Sequence, residues 1–114
     1  MELTHEVQSD VAIFHLTGKL DTATSPIAQS QLKEACAAIP KKVVVDLQGI
    51  DYVASSGLRI LLMFSKELSI SGTRCIYCEL NESVAKVFDV SGFSRILDVR
   101  KTLADAMQEL QTES

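Results

Sequence analysis

The chain has 114 residues, 46% of them hydrophobic and 23% charged, enough for one compact domain with a real core and too few for a second, so residues 1–114 are expected to form a single domain. Eleven Lys and Arg against fifteen Asp and Glu give a net charge of -4, and the basic residues form no stripe, which argues against a nucleic-acid partner. The opening Met1-Glu2-Leu3-Thr4-His5-Glu6 lacks the basic and apolar regions of a signal peptide, and no apolar run approaches membrane-spanning length. No membrane association and a cytoplasmic location are therefore expected.

In chain order, Leu3 to Gln8 alternates, with Leu3, His5 and Val7 on one face and Thr4, Glu6 and Gln8 on the other. Ser9-Asp10 then gives a polar turn before Val11 to Leu16, which predicts an antiparallel hairpin. His5 and His15 alternate with apolar neighbours on these strands and read as structural histidines, because a catalytic base must stand in reach of a nucleophile. Gly18-Lys19-Leu20-Asp21 ends the second strand, and Ser25-Pro26 opens a helix, with the Ser25 hydroxyl as N-cap and proline in the first turn. Ala28, Leu32, Ala35, Cys36 and Ile39 fall on one stripe of that helix. Pro40-Lys41-Lys42 breaks the chain.

Val43-Val44-Val45-Asp46-Leu47 is a short β-branched stretch suited to a central strand covered on both faces, Gln48 to Ala54 reads as a loop, and Leu58 to Phe64 suits a largely buried helix ending near Ser71-Gly72. Thr73 to Glu79 follows as a strand. Asn81 caps a short helix with Val84, Val87 and Phe88 inward, Gly92 stops it, and Arg95 to Val99 makes a last short strand. Thr102 with Asp105 forms a capping-box pattern for a final helix whose Leu103, Met107 and Leu110 make one side apolar. Repeated strand-helix-strand units require right-handed crossovers, so the expected fold is α/β. Its sheet is mostly parallel, of about four or five strands with one antiparallel N-terminal hairpin strand, and about four helices accompany it.

The stretch from Asp46 to Arg59 carries the chemistry. Ser55, Ser56 and Gly57 stand at a helix start, where unpaired N–H groups and a partial positive charge suit either a serine cap or a phosphate. A nucleophile elbow does not fit, since Val53 stands where its first glycine belongs and Gln48 to Ala54 separates Ser55 from the strand. A phosphate-binding loop would need more glycines and a lysine after them. Asp21, Asp46 and Asp51 could gather at one sheet edge, but they lack acid/base or metal spacing and read as turn caps. The three cysteines, Cys36, Cys75 and Cys78, are an odd number without a disulfide framework. Cys75 and Cys78 have redox or zinc spacing, yet on a strand they would face opposite sides, and no second pair completes a metal site. The reading is a non-enzyme without metal or cofactor.

Taken together, Gly18-Lys19-Leu20-Asp21, then Val45-Asp46-Leu47 leading through Asp51-Tyr52-Val53 to Ser55-Ser56-Gly57-Leu58, then Asn81 with Gly92-Phe93 beyond, resemble the STAS domain of bacterial anti-sigma factor antagonists. The resemblance covers almost the whole chain. It implies a binder that sequesters an anti-sigma factor, itself a serine kinase, and so frees a sigma factor for transcription. Phosphorylation by that kinase releases the complex, and a PP2C-type phosphatase resets it. By position the acceptor is Ser56, with Ser55 as the second choice; Gly57 would allow close approach of a partner backbone, and Asp21 would contact the partner and support phosphorylation. The implied partner-binding set is Asp21, Thr22, Ser55, Ser56, Gly57 and Arg59. Family members with the clearest kinase regulation usually carry an aspartate before the two serines, where this chain has Ala54. That departure keeps a second reading open, an unphosphorylated stand-alone STAS subunit of another signalling or lipid-transport assembly. A third, an enzyme or redox protein using Ser55 or Cys75 and Cys78, predicts a hydrolytic burst or thiols of low pKa.

Overall fold

The hairpin sets the sheet. In a computed structural model describing residues 1–36 and 41–113, β1 (Glu2–Gln8) and β2 (Val11–Leu20) pair antiparallel from Gln8 opposite Val11 to Glu2 opposite Thr17. Ser9 and Asp10, at φ 48° and 64°, supply the two left-handed residues of a tight turn whose twist matches that of the flanking strands. Parallel pairing then adds β3 (Lys42–Val53), β4 (Arg74–Cys78) and the two-residue β5 (Val99–Arg100), giving a five-stranded sheet in the order β1-β2-β3-β4-β5. Between the strands run α1 (Ser25–Ala35), α2 (Ser55–Ile70), α3 (Glu82–Val90) and the single-turn α4 (Phe93–Ile96), and α5 (Leu103–Thr112) closes the chain. The expected α/β architecture is the observed one.

Alternation along the strands splits the interior in two. Phe14, Leu16, Val43, Val45, Leu47 and Tyr77 pack beneath Leu32, Leu58, Leu61 and Phe88 of the first three helices. On the other face Val11, Ile13, Val44, Ile76 and Cys78 meet Ala106, Met107 and Leu110 of α5. The run from Val43 to Leu47 is covered on both faces, as its β-branched valines suit, with Asp46 buried among them. Cys75 and Cys78 fall in opposite cores, and burial pushes each thiol up to about 12, which removes the low-pKa pair from the third reading.

Three expectations need correction. Residues 48 to 53 are not a loop: β3 continues to Val53 because β2 continues beside it to Leu20, Thr17 standing opposite Gly49 and Leu20 opposite Val53. Gly49 permits that pairing, since a Cβ there would lie 2.3 Å from the Thr17 methyl and 2.9 Å from the Leu16 carbonyl oxygen. Ser25 is the first residue of α1 rather than its N-cap, which is Thr24. The segment after Gly92 forms α4 instead of a strand over Arg95 to Val99, because Gly92, at φ 77°, turns the chain so that the Arg95 amide bonds back to its carbonyl. Among the described residues the helices number five, the single-turn α4 standing beside the four expected. Ile39 and Pro40, assigned to the α1 stripe and the following break, lie outside the described residues.

Candidate functional site

The ends of β2 and β3 bring two helix starts together. The Ala54 amide donates to the Leu20 carbonyl at 2.8 Å, so the ladder between the two strands runs up to the residue before Ser55. Gly57 then lets the first turn of α2 rest on β2: a Cβ there would sit 2.7 Å from both the Cβ and the carbonyl oxygen of Leu20. Gly57 is itself buried, and the close approach seen there is internal, to Leu20, where the resemblance implied one to a partner backbone.

Neither serine caps α2. The N-cap is Ala54, in the extended conformation of such residues (φ -86°, ψ 172°) but with no side chain to accept a bond, and the first turn holds no acidic residue. The Leu58 amide bonds to the Ala54 carbonyl at 3.0 Å, leaving the amides of Ser55, Ser56 and Gly57 without acceptors inside the helix. The contrast with α3 and α5 is chemical. Asn81 Oδ1 accepts from the Val84 amide at 2.8 Å and Thr102 Oγ1 from the Asp105 amide at 3.0 Å, each with an acidic residue in the first turn.

Ser55 is exposed and Ser56 half-buried, its Oγ 3.4 Å from the hydroxyl of Ser25. Asp21 holds the adjoining turn: one carboxylate oxygen accepts from the amides of Ala23 and Thr24 at 3.0 Å, and the Thr24 hydroxyl donates to the Lys19 carbonyl at 2.6 Å. The Thr24 amide bond contributes most to keeping the Asp21 carboxyl below its ordinary pKa. Thr22 is exposed in the turn, and Arg59 is exposed one helical turn beyond Ser55. The predicted set thus gathers where β2 meets α1 and β3 meets α2, with Gly57 beneath the surface.

A STAS-domain family model matches residues 2–106. The chain belongs to the STAS domain family. BtrV of Bordetella bronchiseptica, named as an anti-sigma factor antagonist, is 30% identical over 112 residues, covering 98% of this chain and 97% of BtrV. The crystal structure of an anti-sigma factor antagonist from Mycobacterium paratuberculosis superposes with a TM-score of 0.87 at 21% identity, covering 95% of this chain and 92% of that one. SpoIIAA of Bacillus, an anti-sigma factor antagonist, is similar in fold in both its forms. The unphosphorylated form gives a TM-score of 0.78 (20% identity; 99% of each chain) and the phosphorylated form 0.69 (20% identity; 96% and 99%).

Elsewhere in this STAS domain the polar groups serve the fold. Asp46 is buried and pairs with His15 Nδ1 at 2.6 Å and the Gln48 amide at 2.9 Å, while His15 Nε2 meets Glu6 at 2.9 Å. Burial alone would lower the His15 pKa, but hydrogen bonds to Asp46 and Glu6 outweigh it and raise the value. Among the described residues no group of three or more His, Cys, Asp or Glu side chains could hold a metal ion. No helix of the STAS domain is long and apolar enough, among those residues, to cross a membrane. Sequence reasoning passed over Tyr52, Ile27 and Met63, large apolar side chains exposed by 52%, 52% and 40% along β3, α1 and α2. A break in the inward pattern, apolar residues off the buried stripe, was the signal available for them.

Proposed function

We propose that this STAS domain is an anti-sigma factor antagonist that binds an anti-sigma factor serine kinase, frees a sigma factor, and is switched off by phosphorylation of Ser56. A PP2C-type phosphatase would restore the binding form. The observation that carries the reading is the place of the serine pair, in the first turn of a helix whose cap position is an alanine. Those hydroxyls are not committed to capping. The anti-sigma antagonist names of BtrV and SpoIIAA, and the existence of a phosphorylated form of SpoIIAA, support it.

The physics of the switch is local. A phosphoserine carries about -1.5 to -2 charges at neutral pH, and the free amides of the α2 start favour an anion there. The modification therefore leaves the fold intact and acts on the partner, since a dianion beside the Asp21 turn repels acidic groups and blocks close packing. The surface to be closed off comprises Asp21, Thr22, Ser55, Ser56 and Arg59, with the exposed Tyr52 and Ile27 at its margin.

The test is incubation of the purified protein with ATP and the candidate anti-sigma kinases of its own organism, followed by intact mass and localisation of the modified residue, with Ser56→Ala alongside. One added phosphate that vanishes in Ser56→Ala is the expected result. A stable complex with one of these kinases but no phosphate would remove the switch and keep the antagonist. Neither phosphate nor complex would favour the second reading, a stand-alone STAS subunit of another signalling or lipid-transport assembly, for which Ala54 in place of the usual aspartate is the supporting feature.

A further inference from the structure

Ser25 is the first residue of α1 and only 3% exposed, and its hydroxyl lies 2.5 Å from the Asp21 carbonyl oxygen and 3.4 Å from Ser56 Oγ. A serine hydroxyl has one proton to donate. In the unmodified chain the shorter contact takes it, so Ser25 ties α1 to the turn that begins at Asp21 and presents Thr22. The Ser25 amide also donates to the Asp21 carbonyl, at 2.9 Å, so Ser25 adds two bonds to those the Asp21 carboxylate makes in the turn.

A phosphate on Ser56 changes the competition for that proton. Its oxygens sit two bonds from Ser56 Oγ, within reach of a hydroxyl 3.4 Å from that atom. A hydrogen bond to an ionised acceptor is about twice as strong as one between neutral groups. The first turns of α1 and α2 hold no carboxylate, and the Asp21 carboxylate beside them is already engaged by the amides of Ala23 and Thr24. Ser55 differs, being exposed, and the contact with Ser25 is made by Ser56.

We propose that Ser25 couples the phosphorylation state of Ser56 to the Asp21–Thr24 turn, its buried hydroxyl leaving the Asp21 carbonyl for the phosphate. The proposal rests on the reading of Ser56 as the acceptor and adds a second consequence to it. Besides placing charge on the surface, phosphorylation removes one of the two bonds by which Ser25 holds the neighbouring turn, while the bonds of the Asp21 carboxylate to the amides of Ala23 and Thr24 remain. The Ser25 amide bond remains, so the turn shifts without unfolding. Ser25 is a positioning residue in this scheme, acting on the partner through Asp21 and Thr22.

The test installs phosphoserine at position 56 during synthesis, so it needs no kinase; absence of phosphate transfer in the kinase assay overturns the acceptor reading without touching this experiment. Phosphorus NMR follows the second ionisation of the phosphate, ordinarily near pH 6. A hydroxyl donating to the dianion lowers that value. The expected midpoint in the otherwise natural chain lies at least about half a pH unit below that in Ser25→Ala, and likewise below that of a chain phosphorylated at Ser55 instead. Phosphate at Ser56 should also shift the amide signals of Asp21 to Thr24, and Ser25→Ala should remove at least about half of that shift. Equal midpoints for phosphate at Ser55 and Ser56 would overturn the proposal, and that comparison stands even where Ser25→Ala does not fold. Equal midpoints with and without the Ser25 hydroxyl would do the same.

Discussion

The uncapped start of α2 makes Ala54→Asp the most informative substitution in the chain. Ala54 already has the extended backbone of an N-cap, so an aspartate there can accept from the amides of Ser56 or Gly57 without moving the main chain. A cap of this kind stabilises by about 1 kcal/mol relative to alanine, and a carboxylate at a helix N-terminus adds about half a kcal/mol through the dipole. At 114 residues each kcal/mol moves Tm by about 4 °C, so a rise of about 4 to 6 °C is expected. Urea unfolding at pH 7 should show a higher midpoint with an unchanged slope. The new carboxyl would have its pKa depressed in the folded state, so the gain is present above about pH 4 and fades as pH falls below it. With phosphate on Ser56 the gain should shrink or reverse, because two anions would then share the same amides. An unchanged or lowered midpoint at pH 7 in the unphosphorylated chain would refute the account of α2 as a helix with unsatisfied amides.

Gly57→Ala should destabilise by about 1 to 3 kcal/mol in urea unfolding, although alanine is the better helix former: the new Cβ meets the Leu20 backbone carbonyl at 2.7 Å, and backbone cannot swing aside. His15→Gln should lower stability by about 1 to 3 kcal/mol by leaving Asp46 buried with a weaker partner. Since the His15 pKa is raised on folding, its contribution is complete below the unfolded value near 6.5 and is lost as pH rises through the folded one. The gap between wild type and His15→Gln should accordingly be wider at pH 6 than at pH 9. Asn81→Ala removes both the cap of α3 and the bond from Asn81 Nδ2 to the Ile50 carbonyl at 3.0 Å, so a loss of about 1 to 2 kcal/mol and earlier hydrogen exchange in α3 are expected.

What could be read before folding was local chemistry. Ser9-Asp10, Asn81, Gly92 and the Thr102-Asp105 pair each carry their own reason for the turn or cap they form, and all four act as their residue types dictate. The three successive valines from Val43 to Val45 announced two covered faces for the same reason. What escaped reading was set by neighbours distant in the chain. Gln48-Gly49-Ile50-Asp51 has the composition of a loop and becomes strand only because the end of β2 lies alongside, with Gly49 emptied of a side chain to admit Thr17. At the site, the serines were located to within a residue of the helix start, but their freedom from capping depended on where β3 ended. Ser25 was read as a cap, and its proximity to Ser56 arises from two strand ends meeting across 31 positions of sequence.

The division of the interior by the sheet also frees one half of the molecule from the demands of the other. All the residues of the proposed switch ride on α1, α2 and the strand ends feeding them, whereas among the described residues α5 covers the reverse side. There Lys42 binds its last carbonyls at 2.6 and 2.8 Å, and Arg74 and Arg100 grip Glu109. Selection for a new partner can therefore rework one side while losses in stability are made good on the other, through Ala106, Met107 and the ion pairs of α5. A lineage built on this plan can change its regulatory wiring without first rebuilding its fold.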